Sequence, residues 1–467
     1  MTTTLNTGLP LHGLAQLPLL GARAQYFVAV GGAGTTNGLI VLRCRRTASS
    51  TIDSSKDINS DNKGTVVVEE VRRVCGVRDA VTHVSTLAVG RDCLVLYGHG
   101  TVGSVSRARL VRPPPRFRHQ EQQQKQEEDI EMTSLKSFVA FPGTGDAEAR
   151  RTGACAQTAA VLFRGPGARV LCAVGARDGR VRLLDVAPVL SAQRVLPGPD
   201  DADSGPVACL AHRNERLVGV AGAWCCVWDT AAGTLLHAWR APDLALPPDT
   251  RLCWCALSAD GERVLAAAAA PQPHLRDARA WLAQRSLLGG HADDSATATV
   301  IPDARSFGAC AVCERDDFGL ENDDYDISKR GGACCVAWGE ALCGDVSTHV
   351  CARGRAVCCS SHHAVHAPAG HATALCFVAL PDTDAANPAR APQASAALHA
   401  RGKGRGRRLR QRADALWVLS VGSSGVVAAC PVRSPVHRQT ATVLVVTLTA
   451  ALALVALIVA IVLRRNR

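Results

Sequence analysis

The sequence is short of the signals that mark an enzyme or a helical protein. It has no Gly-x-x-x-x-Gly-Lys-Ser/Thr, no Gly-x-Ser-x-Gly and no His-Glu-x-x-His. With no nucleophile beside a convincing base, P-loop, α/β-hydrolase and zincin chemistry have no foothold. Amphipathic periodicity of 3.6 residues is almost absent, which disfavours helical bundles and α/β folds. The N-terminus, MTTTLNTGLPLHGLAQLPLLGARAQ, lacks a charged n-region and a long apolar core, so no secretory leader is expected. Charge of one sign is lacking too, once its location is considered. Residues 401–412 hold seven basic and no acidic side chains and residues 464–467 three more, so the formal +11 leaves a body of about +1 without them. A nucleic-acid-binding body carries a basic face, and none is expected here.

Metal motifs are equally sparse. Of 20 cysteines, only Cys310 and Cys313 form a CxxC, and Cys334, Cys335 and Cys343 do not supply a second pair at zinc spacing. The rest are scattered singly in apolar runs such as VLCAV and RLCWCAL, as small buried hydrophobes of a reducing compartment. The acidic run ERDDFGLENDDYD lacks the carboxylate spacing and terminal Glu of an EF-hand. His362, His363, His366 and His371 cluster, and read as loop and strand-edge residues that support hydrogen bonding between strands.

What the chain does contain is strands. ARVLCAVGARDGRVRLLDV (168–186) is two apolar runs joined at Arg-Asp-Gly, a hairpin signal. RLVGVAGAWCCVWDT (216–230) repeats it and ends in Trp228-Asp229, 44 residues after Asp185. That spacing matches the roughly 40–45 residues of a WD-type propeller blade. Blades are expected near 25–75, 80–112, 137–188, 203–240, 250–287, 331–368 and 371–432, an all-β, seven-bladed WD-repeat β-propeller occupying residues 1–435. Polar insertions near 47–64, 113–131, 314–328 and 385–413 bury too little apolar surface to fold and read as disordered.

One long apolar run follows. Residues 440–463 are 24 without a charge, roughly 36 Å as a helix at about 1.5 Å per residue, enough for a bilayer core of about 30 Å. Arg464, Arg465 and Arg467 close it. The expectation is a tail-anchored transmembrane helix, a propeller facing the cytosol and a short lumenal tail, 464–467. The basic run 401–412 then has two readings, contact with an anionic leaflet or a solvated insertion.

VAVGGAGTTNGLIVL (28–42) is glycine-dense and follows a strand. A dinucleotide fingerprint needs a third glycine where Asn37 stands and a helix after it; LIVLRCRR reads as a strand, so no helix N-terminus meets a pyrophosphate. A long hairpin turn in blade one is the remaining local reading, although a turn needs far fewer glycines.

This stretch, the blade count and the apolar run together resemble the prolactin regulatory element-binding protein family. The resemblance implies an endoplasmic-reticulum guanine-nucleotide exchange factor for the SAR-type small GTPase that starts the COPII coat and ER-to-Golgi transport. It implies that a glycine-rich loop of the first blade engages the GTPase, here Asn37 with Gly31, Gly32, Gly34, Thr35, Thr36 and Gly38. It also implies a potassium ion held by Gly31, Gly32, Gly34 and Asn37. Here Ala33 interrupts the glycines and the loop is shorter than the family's. The partners implied are the GTPase and the membrane, with no small-molecule substrate. The reading from another class is a membrane-anchored WD-repeat scaffold without exchange activity.

Overall fold

The computed structural model describes residues 2–432 except 21, 23, 34–35, 48–64, 78, 112–128, 140–155, 187–192, 200–204, 273–277, 289–295, 315–333, 353, 367–369 and 380–415. The described strands form seven antiparallel four-stranded sheets. The innermost strands of successive sheets touch one another all the way round, last to first. The fold is a seven-bladed β-propeller.

A short strand, β1 (Thr3–Asn6), precedes the first blade. Blade one is β2–β5 (Leu11–Leu17, Gln25–Ala33, Thr36–Thr47, Thr65–Cys75), and blade two is β6–β9 (Val81–Val89, Asp92–His99, Val102–Val111, Asp129–Val139). Blade three is β10–β13 (Gln157–Arg164, Val170–Ala176, Val181–Asp185, Gln193–Val195). Blade four is β14–β17 (Val207–Arg213, Arg216–Ala221, Trp224–Asp229, Thr234–Arg240). Blade five is β18–β21 (Arg251–Leu257, Arg263–Ala269, Ala280–Ser286, Thr297–Ile301), and blade six is β22–β25 (Ala309–Cys313, Cys334–Gly339, Val346–Ala352, Arg355–His362). Blade seven takes β26–β28 (Ala372–Ala379, Leu416–Gly422, Val426–Pro431) and borrows β1 as its outer strand, Thr3 opposite Ala429.

Packing explains why the middle strands read as unbroken apolar runs. Each blade is covered on both faces, so both phases of the two-residue alternation are buried. In β3, Phe27 and Ala29 join the core shared with blade seven, while Tyr26, Val28 and Val30 join the core shared with blade two. Every neighbouring pair of blades encloses such a core. A fully buried side chain of this size contributes about 1.5–3 kcal/mol. Asp185 and Asp229 end the third strands of consecutive blades, so the 44-residue spacing is a true structural repeat.

Several blade limits differ from the sequence expectation. Blade one begins at Leu11 rather than near 25, and blade six at Ala309 rather than 331. Residues 129–139 close blade two, so that 137–139 do not open blade three, and 297–301 complete blade five. Two of these segments, β9 and β21, are outer strands, exposed along one side and therefore polar, and β9 exposes most of its residues; the other two, β2 and β22, are innermost strands. Thr47 and residues 129–131, read as parts of insertions, are the end of β4 and the start of β9.

Connections alternate between the two ends of the ring. First-to-second and third-to-fourth connections leave one end; second-to-third hairpins and blade-to-blade crossovers leave the other. All four polar insertions belong to the first kind: 47–64 joins β4 to β5, 113–131 joins β8 to β9, 314–328 joins β22 to β23, and 385–413 joins β26 to β27. The chain also leaves β28 at this insertion end, where Val432 N–H donates to Leu416 C=O at 3.0 Å. Most of each insertion, with residues 440–463 and 464–467, lies outside the described residues. Among the described residues no helix is long and apolar enough to cross a membrane.

Candidate functional site

The glycine-rich stretch is the β3–β4 hairpin at the crossover end. Its ladder runs to the tip, with Gly31 opposite Gly38, Gly32 opposite Asn37 and Ala33 opposite Thr36. Only residues 34 and 35 remain for the turn, and these candidates, Gly34 and Thr35, lie outside the described residues. The long hairpin turn expected from the sequence is thus cut to two residues between paired strand ends.

Close approach of neighbouring backbone accounts for the glycines inside the ladder. A Cβ at Gly31 would stand 1.9 Å from the Pro10 carbonyl oxygen, and one at Gly38 2.2 Å from that of Val74. Gly32 has φ +151°, and a Cβ there would lie 2.0 Å from Asn37 Oδ1. The Asn37 side chain therefore packs across bare glycine backbone, and Asn37 is only 3% exposed. Ala33 and Thr36 are the exposed residues flanking the tip.

The connection that Gly31 makes room for is the one closing the ring. Gly32 N–H donates to Pro10 C=O at 2.9 Å. Thr7 Oγ1 donates to Gly425 C=O of blade seven at 2.8 Å, and Arg73 of β5 donates to Thr7 C=O at 2.7 Å. Arg73 also holds Glu70 through two nitrogens, a bond that raises the guanidinium pKa. The hairpin base is thus locked to both sides of the closure.

A ring of bulges runs around the same end. In six of the seven innermost strands the ladder slips by one residue, at His12, Thr82, Thr158, Ala208, Cys253 and Thr373. A bulge bends the strand and re-aims its side chain. Thr373 Oγ1 donates to Leu11 C=O of blade one at 2.7 Å, and Thr82 Oγ1 to Gln157 C=O of blade three at 3.5 Å. His12 Nε2 lies 3.2 Å from Gly32 C=O.

Among the described residues the hairpin's backbone groups divide between its two edges. Gly32 directs its backbone groups toward β2 and Pro10, so by strand alternation Gly31 and Ala33 direct theirs toward β4. Carbonyls on opposite edges do not converge, and the Gly32 oxygen already faces His12. Elsewhere among the described residues no group of three His, Cys, Asp or Glu side chains is placed to hold a metal. Cys310 is buried in β22 with Cys313 half-buried at its end. Burial pushes the Cys44, Cys93, Cys226 and Cys430 thiols up to about 12, so they pack as hydrophobes.

The histidine cluster serves blade architecture. His366 Nε2 meets Ser420 Oγ at 2.6 Å, His371 Nδ1 meets Ser423 Oγ at 3.1 Å, and His362 Nε2 meets Pro431 C=O at 3.2 Å. Ser361 Oγ, His363 and Asp345 are linked in the order of a nucleophilic triad, at 3.4 Å and 2.9 Å. The His363 side chain is 78% exposed, however, and Asp345 also accepts from Ala364 N–H, so the group caps a turn. No sequence signal joins these three residues.

Glu340 is a second feature hidden from the sequence. Its carboxylate accepts from Arg305 N–H at 2.9 Å, Ser306 N–H at 3.0 Å and the Ser306 hydroxyl, while Trp338 Nε1 donates to Ser306 C=O at 2.9 Å. Burial raises the Glu340 pKa against these bonds. The result is a clamp on the crossover into blade six.

No protein-family model matches this chain, and no curated protein matches it.

Proposed function

We propose that this protein is a WD-repeat-type propeller, anchored by residues 440–463 in the endoplasmic-reticulum membrane, that accelerates GDP–GTP exchange on a SAR-type small GTPase to start COPII vesicles. The observation that carries the reading is the Gly31–Gly38 hairpin on blade one, set at the crossover end of the ring, opposite the four polar insertions 47–64, 113–131, 314–328 and 385–413. Exchange needs no covalent chemistry. It needs a surface that binds the nucleotide-free GTPase more tightly than the nucleotide-bound form, which by linkage weakens nucleotide affinity. The switch segments, ordered by phosphate and Mg²⁺, are the natural lever.

In this reading Ala33 and Thr36 make the contact and buried Asn37 holds the hairpin in shape, with no step routed through potassium. The test is release of a fluorescent guanine nucleotide from the purified GTPase by the full chain in detergent micelles. Acceleration supports the proposal, and release at the intrinsic rate overturns it. The hairpin's short reach favours a second reading, an anchored scaffold that binds without promoting release. Binding to the GTPase with unchanged release would establish that reading. Asn37→Ala sharpens the first: exchange should fall about tenfold, the equivalent of about 1.4 kcal/mol.

A further inference from the structure

We infer that the insertion end of the propeller faces the lipid bilayer and that the crossover end, with the Gly31–Gly38 hairpin, points away from it. This rests on the proposed membrane span of residues 440–463. The chain leaves blade seven at Val432, which is fixed at the insertion end by its hydrogen bond to Leu416. Seven residues, 433–439, separate it from the span; they reach at most about 25 Å when fully extended.

Blade height decides between the two orientations. The seven-residue β27 is about 23 Å long at about 3.3 Å per residue. With the crossover end against the lipid, the linker would have to run nearly straight along the whole side of blade seven. With the insertion end against the lipid, it needs only to leave the strand. Charge agrees with this. The connection bearing the seven basic residues of 401–412 departs after Ala379 and returns at Leu416, beside Val432, and an anionic leaflet attracts such charge.

The molecule carries probes for one end already. Cys75, at the end of β5, and Cys343, in the β23–β24 connection, are its exposed described cysteines, and both lie at the crossover end. Arg91 in the β6–β7 turn and Glu262 in the β18–β19 turn are exposed at the insertion end. Full-length protein is reconstituted into liposomes containing phosphatidylserine and a headgroup-labelled acceptor lipid. Energy transfer is then measured from a donor on Cys75 and Cys343, and from donors on Arg91→Cys or Glu262→Cys in a Cys75→Ser/Cys343→Ser background. That background without an added cysteine reports labelling of half-buried thiols.

Transfer from both insertion-end positions should exceed that from Cys75 and Cys343 at least about twofold, given an end-to-end separation of about 23 Å. Equal transfer from both ends, or stronger transfer from the crossover end, overturns the orientation while leaving the anchor intact. Protein that fails to float with the liposomes overturns the anchor itself, and the orientation with it.

Discussion

The two ends of this propeller obey different rules. At the crossover end the described turns are short and the chain is bound tightly from several sides. Pro10 and Val74 press on Gly31 and Gly38, Arg73 and Gly425 hold Thr7, and Glu340 clamps residues 305–306. At the insertion end the same blades send out four long polar connections and the chain's departing segment. The difference shows that insertions are tolerated where a connection only closes a loop, since each doubling of loop length costs only about 0.6 kcal/mol. A crossover can lengthen as well, since 17 residues, 140–156, separate β9 from β10.

The sharpest way to break this contrast is to cut the closure. Deleting residues 2–8 removes β1 and the Thr7 tie, and should abolish the single cooperative transition in calorimetry, a loss comparable with the roughly 5–15 kcal/mol of a whole domain. Retention of one transition near the original Tm would show that three strands suffice for blade seven.

Next come paired changes at the two ends. Gly31→Val places side-chain atoms against the Pro10 carbonyl and should cost about 1–3 kcal/mol, while deleting residues 389–412 should change stability by less than about 1 kcal/mol. Urea midpoints measure both, and equal losses would erase the distinction between the ends.

Acidity offers a subtler probe. His83 and His366, at the crossover end, are held down to about 4 by burial, with the charge of His371 adding to the effect on His366. The unfolded chain binds these protons first, so stability is fully present above about pH 6.5 and declines as pH falls toward 4. His83→Gln should flatten the slope of unfolding free energy by up to about 1.4 kcal/mol per pH unit in that window. An unchanged slope would mean that His83 is protonated in the fold.

The smallest effect belongs to the outer strands of blade one. Glu69 loses some of its ease of ionisation to burial, but bonds from Arg43 and Arg45 outweigh this and lower its pKa. Its contribution is therefore present above the ordinary carboxylate range and lost as pH falls through the lowered value. Partly exposed pairs of this kind contribute about 1 kcal/mol or less, so Glu69→Gln should shift the urea midpoint slightly, and less so in high salt.

Much of the ring was legible in the residues because a blade covered on both faces must be apolar in both phases. VLCAVGA and YFVAVGG announce themselves for that reason. The outer strands stayed hidden because exposure on one side lets them be polar, as in DIEMTSLKSFV. Ring closure was hidden because Thr3 and Ala429 share no local pattern. The hairpin's glycines were visible, and their reason was not. It lies in the carbonyls of Pro10 and Val74, which come from other strands.

Closure by β1 also sets a clock. Asn6 pairs with Val426, so more than four hundred residues are synthesised between the two partners. At about 5–20 residues per second the first strand waits roughly 20–80 s for its mate. During that wait an open sheet edge invites pairing with other chains, and the pairing of highest sequence separation comes last and slowest. Nascent chains therefore carry their greatest aggregation risk in the interval before β28 is made, and the last blade ends that risk by meeting the first strand made.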